Sequence, residues 1–107
     1  MVVATDKAFV AVYYALDAAY DNNHDKILRE YLSNANPFQF KDGRSADPAT
    51  YSEFRSFYEG RIGSQSNQEN SLSCVHEYLR YQNPNFLEIF DTIVNKETWV
   101  EALKSIN

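Results

Sequence analysis

Glycine and cysteine are scarce in this 107-residue sequence, and each shortage excludes a familiar kind of site. No lysine follows the closely spaced pair Gly60 and Gly63, so a glycine-rich loop for binding phosphate is excluded. The single cysteine, Cys74, rules out a disulfide bond within this chain and is typical of a reducing, cytoplasmic compartment. We expect Cys74 to be a small core or boundary residue rather than a nucleophile.

Histidine is equally scarce, which limits both metal binding and catalysis. Only His24 and His76 could act as an imidazole base, and no nucleophile-elbow pattern accompanies them. A zinc site built from these histidines and Cys74 would need carboxylates to complete four ligands. Carboxylate pairs such as Glu97 and Glu101 are typical of solvent-exposed helix faces. We therefore expect no metal, no cofactor and no enzymatic activity.

Long apolar runs are missing as well. No stretch approaches the roughly 20 apolar residues that a membrane span needs, so we expect no membrane segment. The stretch from Ala8 to Leu16 resembles the core of a signal peptide, but Asp6 and Lys7 precede it and Asp17 follows it. No small-x-small cleavage site comes after it. The sequence therefore predicts a cytoplasmic protein.

Positive charge is in the minority. Ten Lys and Arg residues stand against fifteen Asp and Glu residues, which gives a formal net charge of −5 at pH 7. A negative protein repels the phosphate backbone on which affinity for nucleic acid largely depends. We therefore do not expect nucleic acid as a partner.

Hydrophobic and charged residues are present in the proportions of an ordinary soluble domain, at 44% and 23% of the chain. This length supports one hydrophobic core and is too short for two, so we predict a single domain over residues 1–107. Apolar residues recur at three- and four-residue spacings without a convincing strand, which predicts an all-α fold. The expected architecture is a compact irregular bundle of five to six short helices.

Helix boundaries are predicted from capping and stop signals. Thr5 is expected to cap the first helix, and the second is expected to begin near Asn23. Gly60 and Gly63 are expected to end the third helix, and the polar residues 63–70 to connect it to the next. The remaining boundary signals are Asn36-Pro37, Asp47-Pro48, Asn83-Pro84 and Asn95.

Two segments of the sequence resemble each other. Residues 30–37 read EYLSNANP and residues 77–84 read EYLRYQNP. With a one-residue shift, residues 47–53 (DPATYSE) align with residues 95–101 (NKETWVE). Duplication would give the bundle a two-fold internal pseudo-repeat. Convergence is the alternative, because Asn-Pro stops and Asp or Asn caps are common in unrelated helices.

Aromatic residues are abundant, with eight Tyr, seven Phe and one Trp making up 15% of the chain. A small core cannot bury all of them. We expect Phe38 and Phe40, in the loop after the second helix, to be accessible, with Tyr14 and Tyr81 at the edges of helical stripes. Exposed aromatic residues often anchor protein interfaces. This loop, with Arg44, is therefore the predicted surface of a non-catalytic protein-binding or self-associating domain, unless both phenylalanines fold back to cap the bundle.

Three aspartates, Asp17, Asp21 and Asp25, recur every four residues. On one helix they would stack as like charges, at a cost of about 0.2–0.5 kcal/mol per pair, so helix stability does not favour the pattern. The functional interpretation is an acidic stripe for a basic partner, which makes an immunity- or antitoxin-like protein the second predicted function. In the structural alternative, Asp21 ends one helix and Asp25 caps the next.

Overall fold

The computed structural model describes residues 4–36, 48–62 and 68–106, and α-helices account for nearly all of them. The helices are α1 (Thr5–Asn23), α2 (Lys26–Ala35), α3 (Pro48–Ile62), α4 (Gln68–Gln82), α5 (Pro84–Ile93) and α6 (Lys96–Ser105). No strand occurs within the described ranges. The predicted all-α bundle of five to six short helices is confirmed.

Helix α1 is the longest and buries one face along most of its length. Its buried side chains follow helical spacing: Ala8, Phe9, Ala11, Val12, Leu16 and Ala19. The prediction that Thr5 caps this helix is wrong, because Ala4 occupies the N-cap position and Thr5 is the first helical residue. Thr5 Oγ1 instead donates a hydrogen bond of 2.7 Å to Glu59 Oε2 on α3. The hydroxyl therefore joins two helices rather than capping its own.

Helix α1 ends at a left-handed residue. His24 has φ 57° and ψ 34°, and no other non-glycine residue in the described ranges has a positive φ. Its backbone N–H donates a 2.8 Å hydrogen bond to the carbonyl oxygen of Tyr20. Its ring packs edge-on against the Tyr20 ring, with centroids 5.3 Å apart. Glycine usually occupies such a position, so the sequence carries no strong signal for this helix end.

Asp25 is the N-cap of α2. Its Oδ1 atom accepts hydrogen bonds from the backbone N–H groups of Ile27 at 2.9 Å and Leu28 at 3.0 Å. The helix begins at Lys26, so the prediction of a start near Asn23 is three residues too early. Asparagine and aspartate are equally good N-cap residues, so the sequence alone does not choose between Asn23 and Asp25. In the structure the extended residue that caps α2 is Asp25.

Helix α3 continues past Gly60 to Ile62, so the prediction that Gly60 ends it is wrong. Gly63 lies outside the described residues. Glycine disfavours a helix interior by about 1 kcal/mol. Burial of Phe54 and Tyr58 on the same helix offsets that cost.

We expect Gly60→Ala to raise the free energy of unfolding by about 0.5–1 kcal/mol. Alanine is favoured in helices, and a Cβ atom added at this exposed position meets no atom within 4 Å. Urea denaturation followed by circular dichroism measures the change. A lower midpoint for the alanine variant would contradict the helical conformation of residue 60.

Helix α4 begins at Gln68, inside the segment that was expected to be a connector, so that expectation is wrong for residues 68–70. The first turn of a helix needs no apolar residue, and the search for apolar spacing therefore missed it. A polar side chain is buried near the start of α4: Ser71 Oγ accepts a 2.9 Å hydrogen bond from the hydroxyl of Tyr58.

The predicted starts of α5 and α6 are confirmed by their caps. Asn83 Oδ1 accepts a 3.0 Å hydrogen bond from the Asn85 N–H, with Pro84 at the start of the helix. Asn95 and Thr98 form a capping box, in which each side chain accepts a hydrogen bond from the other's backbone N–H at 2.9 Å and 2.7 Å.

Buried side chains from each of the six described helices form one hydrophobic core. Helix α1 packs most extensively on α5 and also contacts α2, α3 and α6, whereas α4 packs on α3, α5 and α6. Phe54 occupies the aromatic part of this core. Its ring centroid lies 5.2 Å from Phe9, 5.3 Å from Tyr58 and 4.9 Å from Tyr78. Aromatic contacts therefore join α1, α3 and α4.

The two similar sequence segments meet in the structure. The hydroxyl groups of Tyr31 and Tyr78, which are equivalent in the alignment, form a 2.8 Å hydrogen bond, and the equivalent Leu32 and Leu79 are both buried. The helix packing is not two-fold symmetric, however. Helix α3 packs closely on α4, whereas α6 and α2 make little contact. Duplication therefore stays a prediction.

Candidate interaction surfaces

Phe38, Phe40 and Arg44, the residues of the predicted interaction loop, fall within residues 37–47 and lie outside the described residues. Their role in an interface stays a prediction, as does the alternative in which both phenylalanines cap the bundle. The described helices expose two other distinctive surfaces, one acidic and one aromatic.

The three aspartates do not form one helical stripe. Asp17 and Asp21 are exposed in the C-terminal half of α1, whereas Asp25 lies beyond the left-handed break at His24. Asp25 caps α2, as the structural alternative predicts for this residue. Within the described ranges, no Lys or Arg nitrogen lies within 4 Å of the carboxylate of Asp17 or Asp21.

Negative charge is concentrated on α1 and α5. These two helices together hold five acidic residues and one basic residue, a net charge of −4 out of −5 for the whole chain. The acidic residues are Asp6, Asp17, Asp21, Glu88 and Asp91, and the basic residue is Lys7. Helix α1 packs on α5, so the two helices that hold most of the negative charge are neighbours in the bundle. We call the exposed residues Asp17, Asp21 and Glu88 the acidic surface.

A depression of about 230 Å³ joins the start of α2 to α5 beside this acidic surface. It is lined by Asp25, Asn85, Glu88, Ile89 and Thr92. Of the described residues that line it, two carry carboxylates and none is basic, which makes the electrostatic potential there negative.

The prediction that Tyr14 and Tyr81 are accessible is confirmed, since 49% and 68% of their surfaces are exposed. Among the described large hydrophobic residues, Tyr81 is the most exposed, ahead of Ile27 at 59%. The Tyr81 ring stacks on that of Phe57, with centroids 5.6 Å apart and an interplanar angle of 30°.

Phe57 links Tyr81 to a cation and to the core. The Arg61 guanidinium carbon lies 4.8 Å from the Phe57 ring centroid, a cation–π distance. Arg61 Nη1 is also 3.1 Å from Glu77 Oε2. On its inner side, Phe57 packs edge-on against the buried Tyr78, with centroids 5.7 Å apart. We call Phe57, Arg61, Glu77 and Tyr81 the Tyr81 surface.

Phe57 is half-buried, although its apolar side chain and its three-residue spacing from Phe54 are typical of a buried helix face. One signal was available: Phe57 follows the buried Phe54 by three residues, and Tyr81 follows the buried Tyr78 by the same interval. Residues three apart are neighbours on the surface of a helix. When two packed helices each carry such an aromatic pair, the inner aromatic residues can meet in the core and the outer ones at the surface.

Cys74 is buried, as predicted, and lies in the second turn of α4. Burial raises the pKa of its thiol to about 11, with the negative charge of Glu77 as the second cause. The thiol also lines a depression of about 440 Å³ together with Arg61 and Glu77. A thiol that stays protonated at neutral pH is a poor nucleophile.

We expect stability to fall between about pH 9 and pH 11, because Cys74 ionises in the unfolded chain near its ordinary pKa of 9.0 but stays protonated in the fold up to about 11. The unfolded state releases its proton first and is favoured as the pH rises, by ~1–2 kcal/mol. Burial raises the pKa values of Tyr31, Tyr58 and Tyr78 too, so they act in the same direction above pH 10.

Urea denaturation of wild type and Cys74→Ala at about pH 8 and about pH 10 measures this contribution. The alanine variant should lose less stability on going to the higher pH. Equal losses in both proteins would contradict a buried, protonated thiol.

The two histidines have different surroundings in the structure. His76 Nε2 lies 3.2 Å from Asp91 Oδ1, an ion-pair distance, but it is aligned for a hydrogen bond with no described residue. His24 ends α1. Neither histidine lines the depressions described above or the one between α1 and α2 described below. The Nε1 atom of the buried Trp99 also lacks a hydrogen-bond partner in the described ranges.

No group of three or more His, Cys, Asp or Glu side chains suited to a metal ion occurs among the described residues. No helix in the described ranges has the length and apolar character required to cross a membrane. Comparison with known proteins gives no relative: no family model, no curated protein and no solved structure matches this chain.

Proposed function

We propose that this chain is a non-catalytic protein-interaction domain that binds its partner through the Tyr81 surface. The observation that carries the proposal is the position of Tyr81, a residue that is 68% exposed although its ring stacks on that of Phe57. Exposure of an aromatic ring to water is unfavourable in the free protein. A partner that covers the ring removes this apolar surface from water, which favours binding.

The composition of this surface suits an interface. Tyrosine and arginine are enriched among the residues that dominate binding energy. Arg61 already contacts both Phe57 and Glu77 in the free protein, which lowers the conformational entropy that its side chain loses on binding. Glu53 and Gln82, which hydrogen-bond to each other between α3 and α4, supply polar groups near Tyr81.

Affinity capture with the purified protein tests the proposal, with Tyr81→Ala compared to Tyr14→Ala. Tyr14 is a matched control because it is also an exposed tyrosine, on α1. Sedimentation of the protein alone distinguishes self-association from binding of a different protein. Loss of partner or of self-association in the Tyr81 variant alone supports the proposal, whereas equal behaviour of both variants contradicts it.

A second candidate function is neutralisation of a basic protein through the acidic surface, in the manner of an immunity or antitoxin protein. The concentration of charge on α1 and α5 favours it. Asp21 lies in the last turn of α1 and four residues after Asp17. The helix dipole and the like-charge pair both disfavour a carboxylate there, so helix stability does not account for Asp21.

We expect Asp21→Asn to raise the free energy of unfolding by about 0.3–1 kcal/mol while slowing association with a basic partner. Glu101→Gln, which removes one exposed charge from α6, is the matched control. Urea denaturation and association kinetics measure the two effects. A stabilised variant with an unchanged association rate would contradict the acidic interface.

The two candidates also differ in their response to salt. At about 0.5 M salt the Debye length falls to well under 10 Å, so association through the acidic surface should slow markedly. Binding through Tyr81 and Phe57 depends on apolar burial and should persist.

A further inference from the structure

Helices α1 and α2 border a small depression of about 200 Å³. Buried Leu32 contributes apolar surface to it, and half-buried Tyr13 and Tyr20 line it from α1. Ser33 on α2 adds a hydroxyl, and Asn36, the residue that follows the helix, adds an amide. A cavity of about 150 Å³ is enough to hold benzene, so this depression has room for a compact small molecule.

Two opposite charges also line this depression. Asp17 lies on α1 between Tyr13 and Tyr20 in sequence, and Arg29 lies on α2. The two charged groups are not within 4 Å of each other, and neither forms an ion pair with another described residue. Asp17 acts on the depression electrostatically, since its charge raises the pKa of Tyr13 as the second cause after burial.

We propose that this depression binds a small amino-carboxylate zwitterion, with its ammonium group at Asp17 and its carboxylate at Arg29. The site is separate from the Tyr81 surface on α3 and α4, so the inference does not depend on the function proposed for that surface. It shares Asp17 with the acidic surface of the second candidate function.

The chemistry of the lining favours this class of ligand. The guanidinium of Arg29 matches a carboxylate geometrically and electrostatically. An ammonium group at Asp17 would be near the rings of Tyr13 and Tyr20, which attract cations through their faces. A chain of methylene groups between the two charges would cover Leu32. A ligand with one charge would leave either Asp17 or Arg29 unpaired.

Titrations followed by ¹H–¹⁵N NMR test the site with linear ω-amino acids, from glycine through 4-aminobutanoate to 6-aminohexanoate. We expect saturable shifts in residues around the depression, with Kd on the order of 1 mM for the best chain length. Butylamine and butyrate, each with one charge, should bind about tenfold more weakly. Equal affinity for the amine and the amino acid would overturn a zwitterion site.

Substitutions distinguish binding at this depression from a general effect of the protein's net charge on ligand affinity. Asp17→Asn and Arg29→Gln should each weaken the best ligand about five- to tenfold. Glu30→Gln and Lys26→Gln remove the same charges from exposed positions of α2 that do not line the depression, and both should bind like wild type. Absence of a saturable shift at every chain length, or equal weakening by the control substitutions, would overturn the proposal.

Discussion

Phe54→Ala is expected to lower the free energy of unfolding by about 3–5 kcal/mol. The side chain is fully buried, and its ring contacts Phe9, Tyr58 and Tyr78 at centroid distances of 4.9–5.3 Å. Truncation removes the apolar surface and leaves a cavity between aromatic rings, which are too rigid to collapse fully into the space.

A loss of this size would be a large part of the total, because a domain of this length is stabilised by only about 5–15 kcal/mol. Urea denaturation of Phe54→Ala beside Phe57→Ala provides a matched comparison, since both residues are phenylalanines of α3 and Phe57 is only half-buried. The Phe57 variant should lose about half as much or less. Equal losses would contradict the central position of Phe54.

The sequence predicted the starts of α5 and α6 well because their determinants are local. Asn83 and Asn95 hydrogen-bond to N–H groups two or three residues further along the chain, which is chemistry that a short window contains. The break between α1 and α2 was harder to place. It depends on a left-handed His24 and on a choice between neighbouring residues that cap equally well in isolation.

Thr5 failed as a predicted cap for a different reason. Its hydroxyl bonds to Glu59, which is 54 positions away in the chain, and no local pattern predicts such a contact. The same limit applies to the surfaces. The exposure of Tyr81 followed from its position beside an apolar stripe, whereas its stacking on Phe57 depends on how α3 packs on α4.

The acidic surface was predictable only in part. The spacing of Asp17 and Asp21 was visible in the sequence, but the packing of α5, which carries Glu88, on α1 was not. Asp25, in contrast, is the N-cap of α2. This is a local role, and the sequence already predicted it as the structural alternative. Of the three aspartates, the two on α1 are therefore the ones whose positions helix stability does not explain.

Tyr81→Ala is expected to weaken binding of the partner by about 2 kcal/mol or more, a loss of roughly thirtyfold in affinity. The ring is the most exposed part of the Tyr81 surface and is already ordered against Phe57. A partner that covers it gains apolar burial without the cost of immobilising the side chain.

The matched variants decide what Tyr81 contributes. Tyr81→Phe keeps the ring and should lose less than about 1 kcal/mol unless the hydroxyl itself is bonded by the partner. Phe57→Ala removes the support beneath the ring, so it should weaken binding even if the partner never touches Phe57. Calorimetric titration of these variants and of Tyr14→Ala, each confirmed as folded by circular dichroism, gives the comparison. If Tyr81→Ala binds as tightly as Tyr14→Ala, the stacked ring is only an outlying part of the core, and the interface must lie elsewhere on the bundle.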